Sequence, residues 1–230
     1  MVNLGPADLI GWLTSQCDAQ VHCVECGAGA AEISAFLAPR FHSVTATDIA
    51  PPRGAMRAAK KAGYAYLTAS AETLPFEDHS VDLVISMQAL HHFDVEGHLN
   101  EASRILRQGG VFVALAWGEL QLPDAVAETY APVFRALEKY WEPERDWVVS
   151  GYSDLDFNGR PIVLPAARMQ KKMSYDDLDR HIGELSATRS AREAGSPLPQ
   201  IDRSKYQLDE PFEVSWPLVG RAFKSLSCPR

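Results

Sequence analysis

Between residues 21 and 117 the chain alternates short apolar runs with amphipathic stretches of helical length. The apolar runs fall at 21–24, 43–48, 64–69, 81–86 and 110–117, and the amphipathic stretches at 30–39, 53–62 and 95–107. Runs this short, bounded by loops and separated by helices, predict βαβ units and so a parallel sheet with helices on both faces. Five strands are expected in this part. Past Trp117 the pattern breaks: Pro123, Pro132 and Pro143 and a cluster of aromatics from Tyr130 to Tyr152 replace strand alternation. We read 119–160 as a helical, aromatic insertion after the fifth strand that covers one edge of the sheet. Alternation returns at 161–169, a second amphipathic helix spans 175–194, a Gly-Ser-Pro-Leu-Pro loop occupies 195–199, and 212–216 alternates as a closing strand. The expectation is one α/β domain over 1–230, with a core over 18–118 and a strand-helix-strand segment over 161–230 completing the sheet.

Composition narrows the class. The chain is 46% hydrophobic and 23% charged, and its 230 residues suffice for one well-buried core plus an appendage. A formal net charge of −8 offers no basic face to a phosphate backbone, so no nucleic-acid partner is expected. Cys17, Cys23, Cys26 and Cys228 lack the paired spacing of a zinc site, and alternation puts Cys23 and Cys26 on opposite faces of one strand. They read as reduced thiols, with no metal. Residues 1–6 carry no cationic segment leading into an apolar one, and no stretch is long enough to span a membrane. The expected protein is soluble and cytoplasmic.

Candidate chemistry gathers at the ends of the predicted strands. Val24-Glu25-Cys26-Gly27-Ala28-Gly29-Ala30-Ala31 leaves the first strand and opens a helix, where such a sheet lets a ligand approach backbone. A nicotinamide-dinucleotide site would want a further glycine three residues after Gly29, and Glu32 stands there. Glu25, at the strand's carboxyl end, would repel a pyrophosphate but suits a cation. S-adenosylmethionine carries an amino group and a sulfonium and no phosphate, so the run from Glu25 to Ala31 matches it chemically. On this reading the loop faces a solvent-filled crevice, and Glu25→Lys should weaken cofactor binding and leave the fold intact. Asp48 ends the second apolar run nineteen residues past Gly29, where a carboxylate can accept both hydroxyls of a ribose or serve as a turn or capping residue. Ser70 to Phe76 follow the third strand, where an adenine ring would lie, or form a solvated exit from it.

Three more segments complete a pattern: Val81-Asp82-Leu83-Val84, Gln88-Ala89-Leu90-His91-His92-Phe93-Asp94 and Leu106-Arg107-Gln108-Gly109-Gly110-Val111. With these the chain resembles the class I methyltransferases of the type 11 group, over residues 8–217. His91-His92-Phe93-Asp94 is similar to a His-Trp-Phe-Asp of the trans-aconitate methyltransferase-like branch. Tyr140-Trp141-Glu142-Pro143-Glu144-Arg145 is similar to its aromatic-Pro-Glu-Arg stretch. The resemblance implies a Rossmann-like mixed sheet of seven strands, the last antiparallel, and S-adenosyl-L-methionine as cofactor. It implies that Glu25, Gly27, Ala28 and Gly29 hold the methionine portion, Asp48 and Ile49 the ribose and adenine, and Ala71 and Glu72 the adenine edge. Ser86, Met87 and Gln88 would floor the site near the methyl group. The chain departs from the family at Ala31, where a third glycine is usual, at Glu25, where aspartate is usual, at His92, where tryptophan is common, and in its short segment before the first strand.

A small-molecule acceptor is expected, methylated on a carboxylate or hydroxyl by in-line displacement, with the insertion capping it. An ionised carboxylate needs only a clamp, for which Arg145, Arg189 and Arg192 are candidates. The bland alternatives are an ion pair of Arg145 with Glu142 or Glu144, and a solvated helix face for the other two. A hydroxyl would need a base, His91 or His92; otherwise His91 sits behind the site and His92 in an exposed loop. His92 and Trp117 would line the acceptor side. Trp141, Trp147 and Tyr152 either wall a pocket or pack the insertion onto the sheet. Two other classes stay open: a non-catalytic S-adenosylmethionine-binding module, and a nicotinamide-dependent oxidoreductase, which Glu25 and Glu32 disfavour.

Overall fold

The computed structural model describes residues 2–3, 6–201 and 210–226, beginning with a two-residue strand, β1 (Val2–Asn3), and helix α1 (Pro6–Gln16). The expected alternation follows: β2 (His22–Cys26), α2 (Glu32–Leu37), β3 (Ser43–Asp48), α3 (Ala55–Ala62), β4 (Ala65–Thr68), β5 (Val81–Met87), α4 (Val95–Ile105) and β6 (Leu106–Trp117). Beyond it lie α5 (Asp124–Leu137), α6 (Arg145–Val149), β7 (Gly159–Ile162), β8 (Ala167–Met173), α7 (Tyr175–Glu184), α8 (Ser186–Glu193) and β9 (Phe212–Ser225).

Strands β2 to β6 pair in parallel in the order β6-β5-β2-β3-β4, and the last strand, β9, runs antiparallel against β6. This is the Rossmann-like mixed sheet expected. Among the described residues it holds nine strands rather than seven, because β8 extends the sheet beyond β9, β1 adds to β8, and β7 pairs the far end of β9. Register brings Cys26 beside Thr47 and Met87 beside Leu115, so the carboxyl ends of β2, β3, β5 and β6 share one edge.

A parallel strand must bury both faces, and Val81 to Ser86 are all buried. On one face Leu9, Leu13, Leu37 and Ala59 from α1, α2 and α3 pack on Cys23, Leu83 and Val111. On the other, Ala102 and Ile105 of α4 and Tyr152, Leu155 and Phe157 pack on Cys26, Val84 and Phe112. Each fully buried leucine or phenylalanine in these layers contributes about 1.5–3 kcal/mol. Cys23 and Cys26 therefore do lie on opposite faces; they and Cys17 are free and buried, while Cys228 falls outside the described residues.

A third cluster forms a cap. Val126, Tyr130, Val133 and Leu137 of α5 meet Leu178, Ile182, Ala187 and Ala191 of α7 and α8, with Phe212 of β9 against them. The stretch read as one helix over 175–194 is two, broken at Leu185, whose backbone is extended. Leu185 turns onto the cap cluster and the Thr188 hydroxyl donates to the Ile182 carbonyl at 2.6 Å, so the chain bends where a straight helix would leave that leucine outside. The segment read as one insertion divides likewise: 124–141 joins the cap, and 147–157 packs on the second face of the sheet. Among the described residues no helix is long and apolar enough to cross a membrane, and no cluster of side chains could hold a metal ion.

Candidate active site

The glycine loop is held from three sides. Gly27 has φ +67°, and a Cβ there would stand 2.5 Å from Ala89 Cβ and 2.8 Å from Phe93 Cζ, so only glycine lets the loop after β5 come so close. The Asp48 carboxylate accepts the Gly29 N–H with one oxygen and the Ala50 N–H with the other, both at 2.9 Å. From β4, the Tyr66 hydroxyl donates to the Gly29 carbonyl at 2.7 Å, and from just before it Tyr64 donates to the Ala31 carbonyl at 3.3 Å. Burial, then the Asp48 charge, pushes the Tyr66 phenol up to about 12, so it remains a donor. No motif marks these two tyrosines, and only their spacing of two, which puts both on one face of a strand, signals them in the sequence. Ala31 sits at φ 57° as the residue before α2. That left-handed conformation explains why glycine is usual there; alanine carries roughly 1 kcal/mol of strain.

Glu25 does not face a solvent-filled crevice. It is 3% exposed, and one carboxylate oxygen accepts both the Ser34 N–H at 2.8 Å and the Ser34 hydroxyl at 2.5 Å. The strand thereby satisfies one of the orphan donors in the first turn of α2. Burial pushes the carboxyl up to about 7 against the pull of those two bonds. A lysine at this position would bury an ammonium opposite backbone N–H groups, so the expectation that Glu25→Lys leaves the fold intact is overturned.

Residues 69–78 form a second wall, fastened by α4. The His98 ring, fully buried, bonds the Ala71 carbonyl through Nδ1 at 2.9 Å; Glu101 accepts the Leu74 N–H at 2.6 Å. The Arg104 guanidinium donates to the carbonyls of Leu74 and Phe76 and pairs with Glu101 and Asp78. Glu72 accepts the Ser70 hydroxyl and, at 3.0 Å, the Asp94 N–H, so it ties this loop to the start of α4. Ala71 is buried beside it, whereas Ile49, past the end of β3, is 73% exposed.

At the end of β5, Ser86 is fully buried with its hydroxyl unpartnered, Met87 is half-buried and Gln88 is exposed. Gln88 has φ +58°, and its side-chain carbonyl accepts the N–H of Trp117 at 3.2 Å, joining the ends of β5 and β6. The next turn, Leu90–His92, meets α6 and the residues after it. His91 Nδ1 lies 3.1 Å from the hydroxyl of Tyr152, its ring 4.1 Å from that of exposed His92. Trp147 packs on Tyr152 inside the second core layer, while Trp141 joins the cap. Arg145 stacks over the Trp141 ring at 4.4 Å and pairs with Glu119 just past β6, not with Glu142 or Glu144 as its neighbourhood in sequence suggested. Arg189 is exposed on α8; Arg192 lines a cavity of the cap with Tyr130, Thr188 and Leu198. The strand ends thus gather Glu25, Gly27 to Gly29, Asp48, Ser86 to Gln88, His91 and Trp117, and leave the two arginines of α8 with the cap.

Comparison with known proteins gives the family. A family model described as a methyltransferase domain, of the type 11 group, matches residues 24–114. The solved structure of a candidate type II methyltransferase from Anaeromyxobacter dehalogenans is 30% identical, covers 99% of this chain and 100% of its own, and superposes with a TM-score of 0.83. A candidate methyltransferase of Dictyostelium discoideum is 25% identical across 84% of this chain and 76% of that protein. An uncharacterized methyltransferase of Mycobacterium bovis is 34% identical across 49% of this chain, which spans 45% of that relative's length. With its fold, its strand-edge loops and these relatives, the chain belongs to the class I methyltransferases, enzymes whose cofactor is S-adenosylmethionine.

Proposed function

We propose that this enzyme methylates an oxygen of a small-molecule acceptor, a carboxylate or a hydroxyl, at the shared carboxyl edge of β2, β3, β5 and β6. The observation that carries the reading is the convergence there of the glycine loop and Asp48 on one side and Gln88, His91 and Trp117 on the other. When bound, S-adenosylmethionine supplies a sulfonium methyl: the acceptor's lone pair makes the new bond to carbon while the carbon–sulfur pair leaves with sulfur as a thioether.

The residues fit that cofactor. A Cβ at Gly29 would meet nothing within 4 Å, so the loop borders open space, and the buried Ser86 hydroxyl at the end of β5 lacks a partner. Each Asp48 oxygen keeps a lone pair for a ribose hydroxyl beyond the one given to Gly29 or Ala50. Ala71 and Glu72 would border the adenine, with exposed Ile49 free to close over it, and Met87 and Gln88 would lie beneath the methyl. Glu25 supports the methionine end through α2, its carboxylate being committed to Ser34. On the acceptor side Trp117 and His92 form the wall; Arg145 would have to leave Glu119 to clamp a substrate, and Arg189 lies with the cap. Resemblance to the trans-aconitate methyltransferase-like branch supports a carboxylate acceptor.

The test is calorimetry with S-adenosylhomocysteine, followed by methyl-labelled S-adenosylmethionine offered to panels of carboxylic acids, alcohols and phenols. Micromolar binding and label on oxygen, as a base-labile methyl ester or a base-stable methyl ether, are expected. No heat from folded protein, or label found only on nitrogen or carbon, would overturn the proposal.

A further inference from the structure

We propose that Tyr152 is a positioning residue that fixes the His91 imidazole with its proton on Nε2, making His91 a hydrogen-bond donor to an acceptor oxygen that arrives already ionised. The inference rests on the carboxyl edge being the methyl-transfer site and names the class of acceptor that site prefers, a carboxylate.

The phenol decides the tautomer. Tyr152 is fully buried, and the one acceptor its hydroxyl meets among the described residues is His91 Nδ1 at 3.1 Å. If Nδ1–H donated instead, the phenol proton would be stranded, at a cost of about 1–3 kcal/mol. The hydroxyl therefore donates, Nδ1 accepts, and a neutral ring must carry its hydrogen on Nε2. Burial pushes the Tyr152 phenol up to about 12 and the His91 imidazole down to about 4, so both keep these forms around neutral pH. The titratable groups facing His91 are His92, which lowers its proton affinity further, and Glu144, which raises it by less than burial takes away.

The backbone is bent to deliver that hydroxyl. Gly151 and Tyr152 both have positive φ, 63° and 57°, at the end of α6, where the Tyr152 N–H returns to the Trp147 carbonyl at 2.8 Å. A left-handed tyrosine carries about 1–2 kcal/mol of strain that glycine would avoid. His91 Nε2, by contrast, has no protein partner among the described residues and is not sealed from solvent. It is an N–H left open to solvent in the turn that follows β5. A hydroxyl acceptor would find there a donor rather than a base. A carboxylate has no proton to lose, and Nε2–H can hold one of its oxygens while the other attacks.

The test is the tautomer itself, read by ¹H–¹⁵N multiple-bond correlation on ¹⁵N-histidine-labelled protein with and without S-adenosylhomocysteine, with His91 assigned by loss of its signals in His91→Gln. The wild type should show His91 as a single Nε2–H form that stays neutral to about pH 5. Tyr152→Phe should show a mixture of tautomers while calorimetric S-adenosylhomocysteine binding is retained. With the best carboxylic acid of the panel, His91→Ala should lose about a hundredfold in kcat/KM. His91→Gln, whose amide N–H reaches to the same place, should recover about tenfold of that loss. A wild-type Nδ1–H tautomer, a tautomer unmoved in Tyr152→Phe, or a His91→Gln variant as inactive as His91→Ala would overturn the proposal. Wild-type protein that binds no S-adenosylhomocysteine would overturn the site reading beneath it instead.

Discussion

Two glycines of one loop meet different demands. Gly27 has both a left-handed backbone and two carbon atoms within 3 Å of where a Cβ would go, whereas Gly29 has the backbone and no neighbour. Gly27→Ala should therefore cost about 3 kcal/mol in urea unfolding, from strain plus overpacking. Gly29→Ala should cost about 1 kcal/mol, yet weaken S-adenosylhomocysteine at least tenfold in calorimetry, since its methyl projects into the space assigned to the ligand. Glu25 adds a pH signature. Its folded-state carboxyl titrates near 7 against an ordinary 4.5, so the folded state favours the proton. The stability this gives is complete below about pH 4.5 and is lost as pH rises through 7, a swing of about 3 kcal/mol. Glu25→Gln should lack that swing. Urea melts of the two proteins at pH 5 and pH 8 should show the wild type losing ground at the higher value, and parallel curves would count against a buried, proton-favouring Glu25.

At the scale of elements, the wall over 69–78 owes its shape to α4 rather than to its own sequence. Arg104 reaches two of its carbonyls and two carboxylates, so Arg104→Ala should release the loop at a stability cost of only 1–2 kcal/mol or so. Hydrogen exchange at 70–76 should rise and S-adenosylhomocysteine binding should weaken by more than the melt predicts. What could be read beforehand follows the range of the interaction. Strand β3 was legible to the residue, and β2 and β5 within about two, because burial on both faces leaves a short run with few polar positions; β4, an exposed edge strand with only Tyr66 buried, was legible within about two from its place between helix and loop. Asp48 was legible because strand, loop and helix lengths fix where the second strand ends. The Arg145–Glu119 and His91–Tyr152 pairs were not, since their members lie 26 and 61 residues apart and meet only after the insertion folds back over β5 and β6. Glu25 was legible as an acid beside the loop, but not as one turned inward, because Ser34 became its partner only when α2 settled on the strand.

Among the described residues two core layers lie on the sheet, a third under the cap and a small fourth around Met173, Val214 and Trp216, and these differ in what holds them. Both faces of β5 and β6 are sealed, whereas α5, α7 and α8 pack chiefly on one another and on Phe212. Such a unit opens on its own more readily than the sheet does. Amides of α5, α7 and α8 should exchange faster than those of β5 and β6, and S-adenosylhomocysteine should slow exchange in the loops at 27–31 and 70–76 while leaving the cap unchanged. Equal protection in cap and sheet would show one cooperative core. Strand β9 is where the two meet: Val214 and Trp216 lie with the cap side, and Ala222 and Phe223 with the sheet. Among the described strands it is also the last in chain order. The stretch from β2 to β6 is contiguous in sequence and can fold as it leaves the ribosome, but the open edge of β6 and the unsupported cap helices must both wait for residues 212–225. The nascent chain thus completes the strands that carry the glycine loop, Asp48 and Trp117 before β9 can close the sheet beside them, and over that interval β6 is the edge that a chaperone or a second chain would find exposed.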